Sequence, residues 1–349
     1  MEPIRVAVIG AGAIAQVGHL PYYQQHPDVV ISCIVDPNEA RALEMARLFE
    51  VEKTYDSVST MLASEKIDAA SICTPNVTHL SIARMLLEKD VHILVEKPLG
   101  IGLKEAEQVV KLAAERSRVC MVAMSLRFRN DVQLMKQLIE KGNLGDIYYA
   151  KARYMRRRGT PAGWFTDSSL SGGGAMMDIG VHILDLAWWL LGMPKPTTIS
   201  GYKTRGLGNY QTQMTREGWT SAVKDKRVVH DVEDFGSAFI RFDNRCALSL
   251  ETAWAMQGKE EEGFKLDIYG TKGGLSVHPL CFYHEMDDLL MESYPKFEMN
   301  DPLNDQIDHF IQSIKSGENP LSDGTQGLNV LRMLDWIDQS NQSGKEITC

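Results

Sequence analysis

Two short stretches of this chain carry side chains spaced for charge and proton chemistry. One is Glu96-Lys97-Pro98, directly after the apolar run Val91–Val95. The other is Asp178, His182 and Asp185, set i, i+4 and i+7 along a segment with helical patterning. A lysine at the carboxyl end of a buried strand can stabilise negative charge developing on a reacting oxygen. Pro98 biases Lys97 away from helix and so keeps the backbone extended there. An aspartate one turn from a histidine can orient the imidazole and stabilise its protonated form, which makes His182 a candidate general base near neutral pH. Other readings stay open. The first stretch alone is also what a charged strand end with a turn proline looks like. The second fits a structurally satisfied histidine, and carboxylate–His–carboxylate is also metal-ligand chemistry.

The elements around these residues favour chemistry. From residue 4 to about 141, strand-like runs (Ile4–Ile9, Val29–Val35, Ala69–Ile72, His92–Val95, Val119–Met124) alternate with helix-like ones (Ala13–Gln25, Glu39–Glu50, Val58–Ser64, His79–Lys89, Lys104–Arg116). That alternation predicts a doubly wound parallel sheet, a Rossmann-type α/β domain over residues 1–125. The first strand runs into Gly10-Ala11-Gly12-Ala13-Ile14-Ala15, a G-x-G-x-x-A. Gly10 permits the tight turn, Gly12 lets a pyrophosphate approach the backbone, and Ala15 lets helix and strand pack closely. Asp36, at the end of the second strand, stands where an acidic residue accepts hydrogen bonds from an adenosine ribose. Its charge would repel a 2′-phosphate, so NAD is favoured, while Arg41 keeps NADP open. Thr74-Pro75-Asn76, with His79 beyond, closes the strand Ala69–Ile72 as a turn and helix cap, in place to contact the nicotinamide-side ribose. The candidate cofactor contacts are Gly10, Gly12, Ala13, Ile14, Asp36, Thr74, Pro75, Asn76, His79, Glu96 and Lys97.

After Gly145 the period changes. Ile147–Tyr154, Thr198–Lys203, Gly236–Phe242, Ala247–Ala255, Phe264–Tyr269 and Gly274–Val277 read as strands with few helices between them. A large, open, mostly antiparallel sheet in an α+β domain over residues 126–349 is expected. Tail helices at about Asn304–Ser316 and Gly327–Ser340 would pack back on the body, the Rossmann domain included. Gly172-Gly173-Gly174 precedes the Asp178 helix and permits close backbone approach. Arg153, Arg156, Arg157 and Arg158 stand just before Gly163-Trp164-Phe165. Arg156 and Trp164 could grip an anionic or sugar ring substrate; the alternative is a solvated loop with Trp164 packed at the domain junction.

The bulk numbers exclude some classes. The chain has 349 residues, 44% hydrophobic and 24% charged, with a formal net charge of −9. A nucleic-acid partner would call for a basic excess, and no apolar run approaches the ~20 residues that span a bilayer. No export signal is visible, and the six cysteines are scattered without a C-x-x-C pair. A reduced, cytoplasmic protein without a metal is expected.

Taken together, Gly10 to Ala15, Glu96-Lys97-Pro98, and Gly172-Gly173-Gly174 followed by Asp178, Gly180, His182 and Asp185 resemble the Gfo/Idh/MocA oxidoreductases, the family of glucose–fructose oxidoreductase and inositol dehydrogenase. His19-Leu20-Pro21, Thr74-Pro75-Asn76 with His79, Arg127-Phe128, and the run from Val232-Glu233-Asp234-Phe235 to Trp254 extend the resemblance over nearly the whole chain. It implies hydride transfer between NAD(P) and a secondary alcohol or ketone of a sugar, inositol or related polyol. It implies that Lys97 contacts the nicotinamide side and the substrate oxygen, that Asp178 and His182 are the acid/base pair, and that Glu96 lies near the cofactor ribose. Arg127 and Asp185 join Arg156 and Trp164 as candidate substrate contacts. Where the family often has Arg-Phe-Asn-Pro, this chain has Arg127-Phe128-Arg129-Asn130. A homodimer or homotetramer through the open sheet face is expected by the same resemblance. Two other readings are a redox-neutral NAD-dependent lyase or glycosidase on the same scaffold, and a non-catalytic dinucleotide-binding regulator.

Overall fold

A computed structural model describes residues 2–207, 229–258 and 263–349. The first half forms a parallel sheet of β1 (Ile4–Ile9), β2 (Val29–Val35), β3 (Thr54–Tyr55), β4 (Ala69–Ile72), β5 (His92–Val95) and β6 (Cys120–Val122). Its order is β3-β2-β1-β4-β5-β6. The chain therefore builds outward from β1 in one direction, then restarts beside it with β4 and builds the other way. The crevice at the carboxyl ends of β1 and β4 is the switch point where such sheets hold ligands. The strands are nearly continuous apolar runs because helices cover both faces of a parallel sheet; Val6, Ala7, Val8, Ala69, Ala70, Ile72, Ile93 and Leu94 are fully buried.

The second sheet joins β7 (Ile147–Met155), β8 (Pro196–Thr204), β9 (Phe235–Phe242), β10 (Ala247–Ala253), β11 (Gly263–Gly270), β12 (Gly273–Val277), β13 (Cys281–Met286), β14 (Leu289–Ser293) and β15 (Ile347–Thr348). Their order is β14-β13-β12-β11-β7-β10-β9-β8-β15. Only β7 and β10 pair in parallel among the described strands. The sheet shows the alternation of a one-sided core. Ala150, Ala152, Ile240, Leu248, Leu250, Leu266 and Ile268 point inward and are buried. Tyr202, Phe239, Tyr269 and Tyr283 stay exposed on strands of the other face. The inward face is covered by the helix Val181–Leu190, which contacts β7, β10 and β11. That helix is apolar nearly all round because it is sandwiched; even Trp188 and Trp189 are only 4% exposed.

The tail ties the two sheets together. The helix Pro302–Ser316, N-capped by Asp301, packs Ile307, Phe310 and Ile311 in one cluster with Val6, Val8 and Met121 of the first sheet. The helix Gly324–Ser343, N-capped by Asp323, packs on β8 and on the helix Leu103–Glu115.

Two departures from the sequence pattern bear on the site. The helix after the glycine turn and the helix carrying Asp178 each begin with a π turn, Ala15–His19 and Met176–Gly180. A π turn inserts one residue into the helical repeat and re-aims the side chains on it. The i, i+4 spacing of Asp178 and His182 therefore does not stack them as a regular helix would. β13 and β14 were also absent from the sequence expectation. They are joined by Asp287 and Asp288, both at positive φ; without the usual glycine, that turn carries little hairpin signal.

Candidate active site

A cavity of about 1400 Å³ opens along the carboxyl ends of the first sheet and continues under the second. Typical small-ligand sites measure ~300–1,000 Å³, so this one has room for a ligand in two parts. Asp36, Asn38 and Arg41 line one end, Gly10, Gly12 and Thr74 the middle, and Lys97, Asp178, His182, Arg156 and Trp164 the other end.

The glycine turn is shaped by two different constraints. Gly10 has φ +93°, and a Cβ there would lie 2.6 Å from the Cys73 carbonyl oxygen, so only glycine fits. Gly12 is different: the nearest protein atom to a Cβ would be 4.0 Å away. The fold itself tolerates a side chain at 12, and the bare backbone keeps the cavity side open for close approach of a ligand. Asp36 Oδ2 accepts from Ala11 N–H at 2.8 Å and Oδ1 from Asn38 N–H at 2.8 Å, so the carboxylate braces the turn it faces. Arg41 lies across the turn and is already engaged: Nε donates to Ala11 O, Nη2 to Gln16 Oε1 and Nη1 to Glu44 Oε2.

At the other end Lys97 and Asp178 form a closed unit. Lys97 Nζ donates to Asp178 Oδ1 at 2.8 Å and to its backbone carbonyl at 2.7 Å. Trp254 Nε1–H, fully buried, donates to Asp178 Oδ2 at 3.0 Å. Burial alone would push the Asp178 carboxyl up, but the Lys97 ammonium, with Arg156 and the Trp254 donor, brings it below its ordinary value. An ammonium has three donors, and two of those on Lys97 are used, which leaves one toward the cavity. His182 sits beside this pair but is not bonded to it, contrary to the spacing argument. Its Nδ1 is buried without a hydrogen-bond partner among the described residues. Burial, then the Lys97 charge, pushes the imidazole down to about 3 against the opposing pull of Asp178 and Glu96. The ring is therefore neutral at physiological pH.

Glu233 holds the approach to this unit. Its carboxylate accepts from Gly174 N–H at 2.9 Å and Met176 N–H at 3.0 Å, at the entry to the π turn. A Cβ on Gly174 would meet the Glu233 carbonyl oxygen at 1.9 Å, so glycine is required there. Asn76 Nδ2 reaches the Ser171 carbonyl at 2.8 Å and ties the fourth-strand loop to the segment before the glycines. His79 is buried with Nδ1 and Nε2 each 2.8 Å from a carbonyl oxygen, of Pro98 and Thr74. Burial pushes its ring down while the two carbonyls pull it up, and the side chain clamps the Thr74 loop to the Lys97 loop.

Two substrate assignments are corrected. Arg127 is fully buried and paired in two-pronged fashion with Asp185, through Nε–Oδ2 at 2.8 Å and Nη2–Oδ1 at 2.5 Å. It also donates to Leu321 O and to Gln326 Oε1. Neither residue reaches the cavity. A buried guanidinium must have a counterion, and Asp185, seven residues beyond Asp178, is taken for that purpose. The carboxylate–His–carboxylate ligand set consequently does not form. Of the arginine run, Arg156 lines the cavity, packed over the Tyr154 ring at 5.5 Å. Arg157 is exposed, and Arg158 donates to the carbonyls of Arg157 and Met256. Trp164 stacks on Phe165 (4.1 Å between centroids, 18° between planes), and both line the cavity.

Several site residues were not singled out for a role by sequence: Trp254, Glu233, Tyr154, Phe165 and Gln306. Trp254 lies 76 residues from the carboxylate it holds, and nothing local marks that pairing. Gln306, on the tail helix Pro302–Ser316, lies at the cavity wall fully buried, with neither amide atom hydrogen-bonded among the described residues.

Comparison with known proteins gives the family. Residues 4–124 match the family described as "Oxidoreductase family, NAD-binding Rossmann fold". Residues 132–276 match the "GFO/IDH/MocA C-terminal domain". The chain is 29% identical to D-glucoside 3-dehydrogenase of Escherichia coli, over 99% of this chain and 97% of the relative. It is 32% identical to a putative UDP-kanosamine synthase oxidoreductase subunit of Amycolatopsis mediterranei, over 72% and 69% of the two chains. The structure of levoglucosan dehydrogenase with NADH and levoglucosan superposes with a TM-score of 0.84 at 22% identity, covering 99% of each chain. The protein belongs to the Gfo/Idh/MocA oxidoreductase family, with an NAD(P)-binding Rossmann fold.

Proposed function

We propose that the protein is an NAD-dependent dehydrogenase that oxidises a secondary hydroxyl of a sugar, inositol or sugar derivative and reduces the ketone in the reverse direction. One observation carries this reading: Lys97, Asp178 and His182 converge on one end of a cavity that runs past the glycine turn to Asp36. Residues 1–125 supply the cofactor side; residues 126–349 supply the substrate wall and the contacts between subunits. The bare Gly12 backbone and the Asp36 carboxylate fit a dinucleotide, with Thr74, Pro75, Asn76, Glu96 and Lys97 toward its nicotinamide half. A nicotinamide held there would supply the hydride acceptor for the substrate carbon.

The remaining work falls to the chain's own side chains. Lys97, held by Asp178 and Trp254, donates its third N–H to the substrate oxygen and stabilises the charge that develops as the proton leaves. His182, neutral in the resting protein, takes that proton. Arg156 and the stacked Trp164 and Phe165 form the far wall, an arginine fork and an aromatic face suited to a polar ring with an apolar side.

NAD is preferred over NADP because Asp36 faces the ribose end and Arg41 is held across the turn by three hydrogen bonds, one from each nitrogen. Replacing Asp36 by alanine is expected to cut the NAD/NADP selectivity ratio at least about tenfold, the order of one charge-assisted hydrogen bond. Unchanged selectivity in steady-state assays with both cofactors would remove Asp36 from this role. The exposed aromatics Tyr202, Phe239, Tyr269 and Tyr283 support self-association through the outer face of the second sheet, as a homodimer or homotetramer. Among the described residues no helix is long and apolar enough to cross a membrane; with the scattered cysteines, this supports a cytoplasmic assignment.

The functional reading is tested by following NADH absorbance with NAD or NADP and a panel of glucosides, inositols, hexoses, sugar phosphates and uronic acids. A rise with one of them and NAD is expected. Tight NAD binding with no rise across the panel would reject the dehydrogenase reading for these substrates.

A further inference from the structure

Behind Glu96 runs a line of buried polar side chains with no part in the hydride and proton steps above. His19 closes the π turn after the glycine turn. Its Nε2 lies 2.9 Å from Glu96 Oε1 and its Nδ1 3.0 Å from Ser71 Oγ. The same Ser71 oxygen lies 2.7 Å from the Tyr23 hydroxyl. Tyr23, Ser71 and His19 are fully buried, and Glu96 alone of the four reaches the cavity.

Counting donors fixes the direction of this line. Tyr23 O–H donates to Ser71 Oγ, Ser71 O–H donates to His19 Nδ1, and His19 Nε2–H donates to Glu96 Oε1. Each hydrogen is then used once, and Glu96 is a carboxylate. Run the other way, the line needs a protonated Glu96 and leaves the Tyr23 hydrogen without an acceptor among the described residues, in a place where an unpaired donor is costly. A doubly protonated His19 strands either the Ser71 or the Tyr23 hydrogen in the same way. Burial pushes the Tyr23 phenol far up, so it acts as a donor throughout. Burial likewise favours a neutral Glu96, yet the His19 hydrogen bond and the Lys97 ammonium bring its carboxyl below the usual value.

We propose that Tyr23, Ser71 and His19 are positioning residues for Glu96: their one-way hydrogen-bond chain holds its carboxylate ionised and fixed in the cavity wall, where it favours the cationic oxidised nicotinamide over the neutral reduced ring. The proposal rests on the reading of the cavity as a nicotinamide dinucleotide site. The Lys97 charge next to Glu96 is offset by its pairing with Asp178, and Arg156 stands on the substrate side over Tyr154. Glu96 is thus the charge left to act on the ring. His19 sits five residues beyond Ile14 of the glycine turn, so the π turn that receives the dinucleotide also holds the donor that fixes Glu96.

Dissociation constants for NAD+ and NADH, measured by direct titration without substrate, test this. In Glu96→Gln the NAD+ constant is expected to rise about tenfold more than the NADH constant. Ser71→Ala and Tyr23→Phe leave Glu96 in place and carry the test if Glu96→Gln does not fold; each is expected to move the ratio the same way by roughly two- to threefold. A purely structural role would weaken both forms equally or lower the melting temperature with the ratio intact. An unchanged ratio in these variants, with both forms still binding, overturns the proposal and leaves the cofactor site standing. Wild-type protein that binds neither form overturns the cofactor reading itself, and this inference with it.

Discussion

Lys97→Ala is expected to lower kcat by roughly 10²–10³-fold, the loss that follows removal of one preorganised donor to a developing oxyanion. The NAD dissociation constant is expected to change far less than kcat, because the glycine turn and Asp36, which line the rest of the cavity, are untouched. Lys97 Nζ has two donors fixed on Asp178 and one left for the substrate, so its ammonium enters the reaction already oriented. Lys97→Arg should not rescue turnover, since a planar fork on a longer stem cannot reproduce a point charge seated between a carboxylate and a carbonyl. The substitution also strips Asp178 of its counterion. Removing one partner of a buried pair costs about 3–5 kcal/mol, an upper bound here because the two side chains remain 16% and 10% exposed. Thermal melts must therefore accompany the kinetics, and Lys97→Ala/Asp178→Asn, which removes the orphaned charge, should recover much of the stability without recovering turnover. Wild-type turnover in folded Lys97→Ala protein would remove the mechanism.

The sequence made the scaffold legible where local pattern and tertiary role coincide. β1, β2, β4 and β5 have the same bounds in the sequence pattern and in the fold, since a buried parallel strand is an uninterrupted apolar run framed by turns. Gly10 and Gly12 were legible for the same reason: a turn that needs positive φ and an open backbone leaves a residue-type signature. Lys97, Asp178 and His182, singled out by residue type and spacing, line one cavity, but their wiring was not legible. Spacing alone suggested that Asp178 serves His182, whereas Asp178 serves Lys97 and Trp254. Two causes are physical. The π turn at Met176–Gly180 changes the phase of the helix, and a buried ammonium competes for the carboxylate more strongly than a neutral ring does. Arg127 and Asp185 misled in the opposite sense. Charged residues near a motif read as ligand contacts, but a pair 58 residues apart can satisfy itself inside the core, and no local pattern reports that.

His182 makes the second large effect. Burial and the Lys97 charge push its imidazole down to about 3, and in the proposed role of base it is expected to set the pH dependence of the free enzyme. A free imidazole would lose its basic form below about 6.5, and kcat/KM for alcohol oxidation would fall with it. Here the acid limb from this group is expected well below pH 5, with kcat/KM independent of His182 ionisation from pH 5 to 7. An acid limb near 6.5 that His182→Gln abolishes would show a solvated ring and overturn the buried-base reading. His182→Ala is expected to lose roughly 10²–10⁴-fold in kcat, the range for a positioned general base. The same burial has a consequence for stability whose sign is fixed. The folded value lies below the unfolded one, so between about 6.5 and about 3 the unfolded chain binds a proton at this position that the folded chain refuses. Stability from this group is therefore complete above pH 6.5 and is lost progressively as the pH falls toward 3. His182→Gln should flatten that part of the melting-temperature profile, because glutamine binds no proton in either state. Burial, then the Lys97 charge, gives His182 its low proton affinity, and both act most strongly in the resting site. A substrate oxygen that takes the third Lys97 donor and begins to carry negative charge offsets that repulsion at the moment the ring must accept the proton. Lys97 and His182 are thus coupled through the substrate, and Lys97→Ala/His182→Ala should cost little more in kcat than the worse of the two single substitutions.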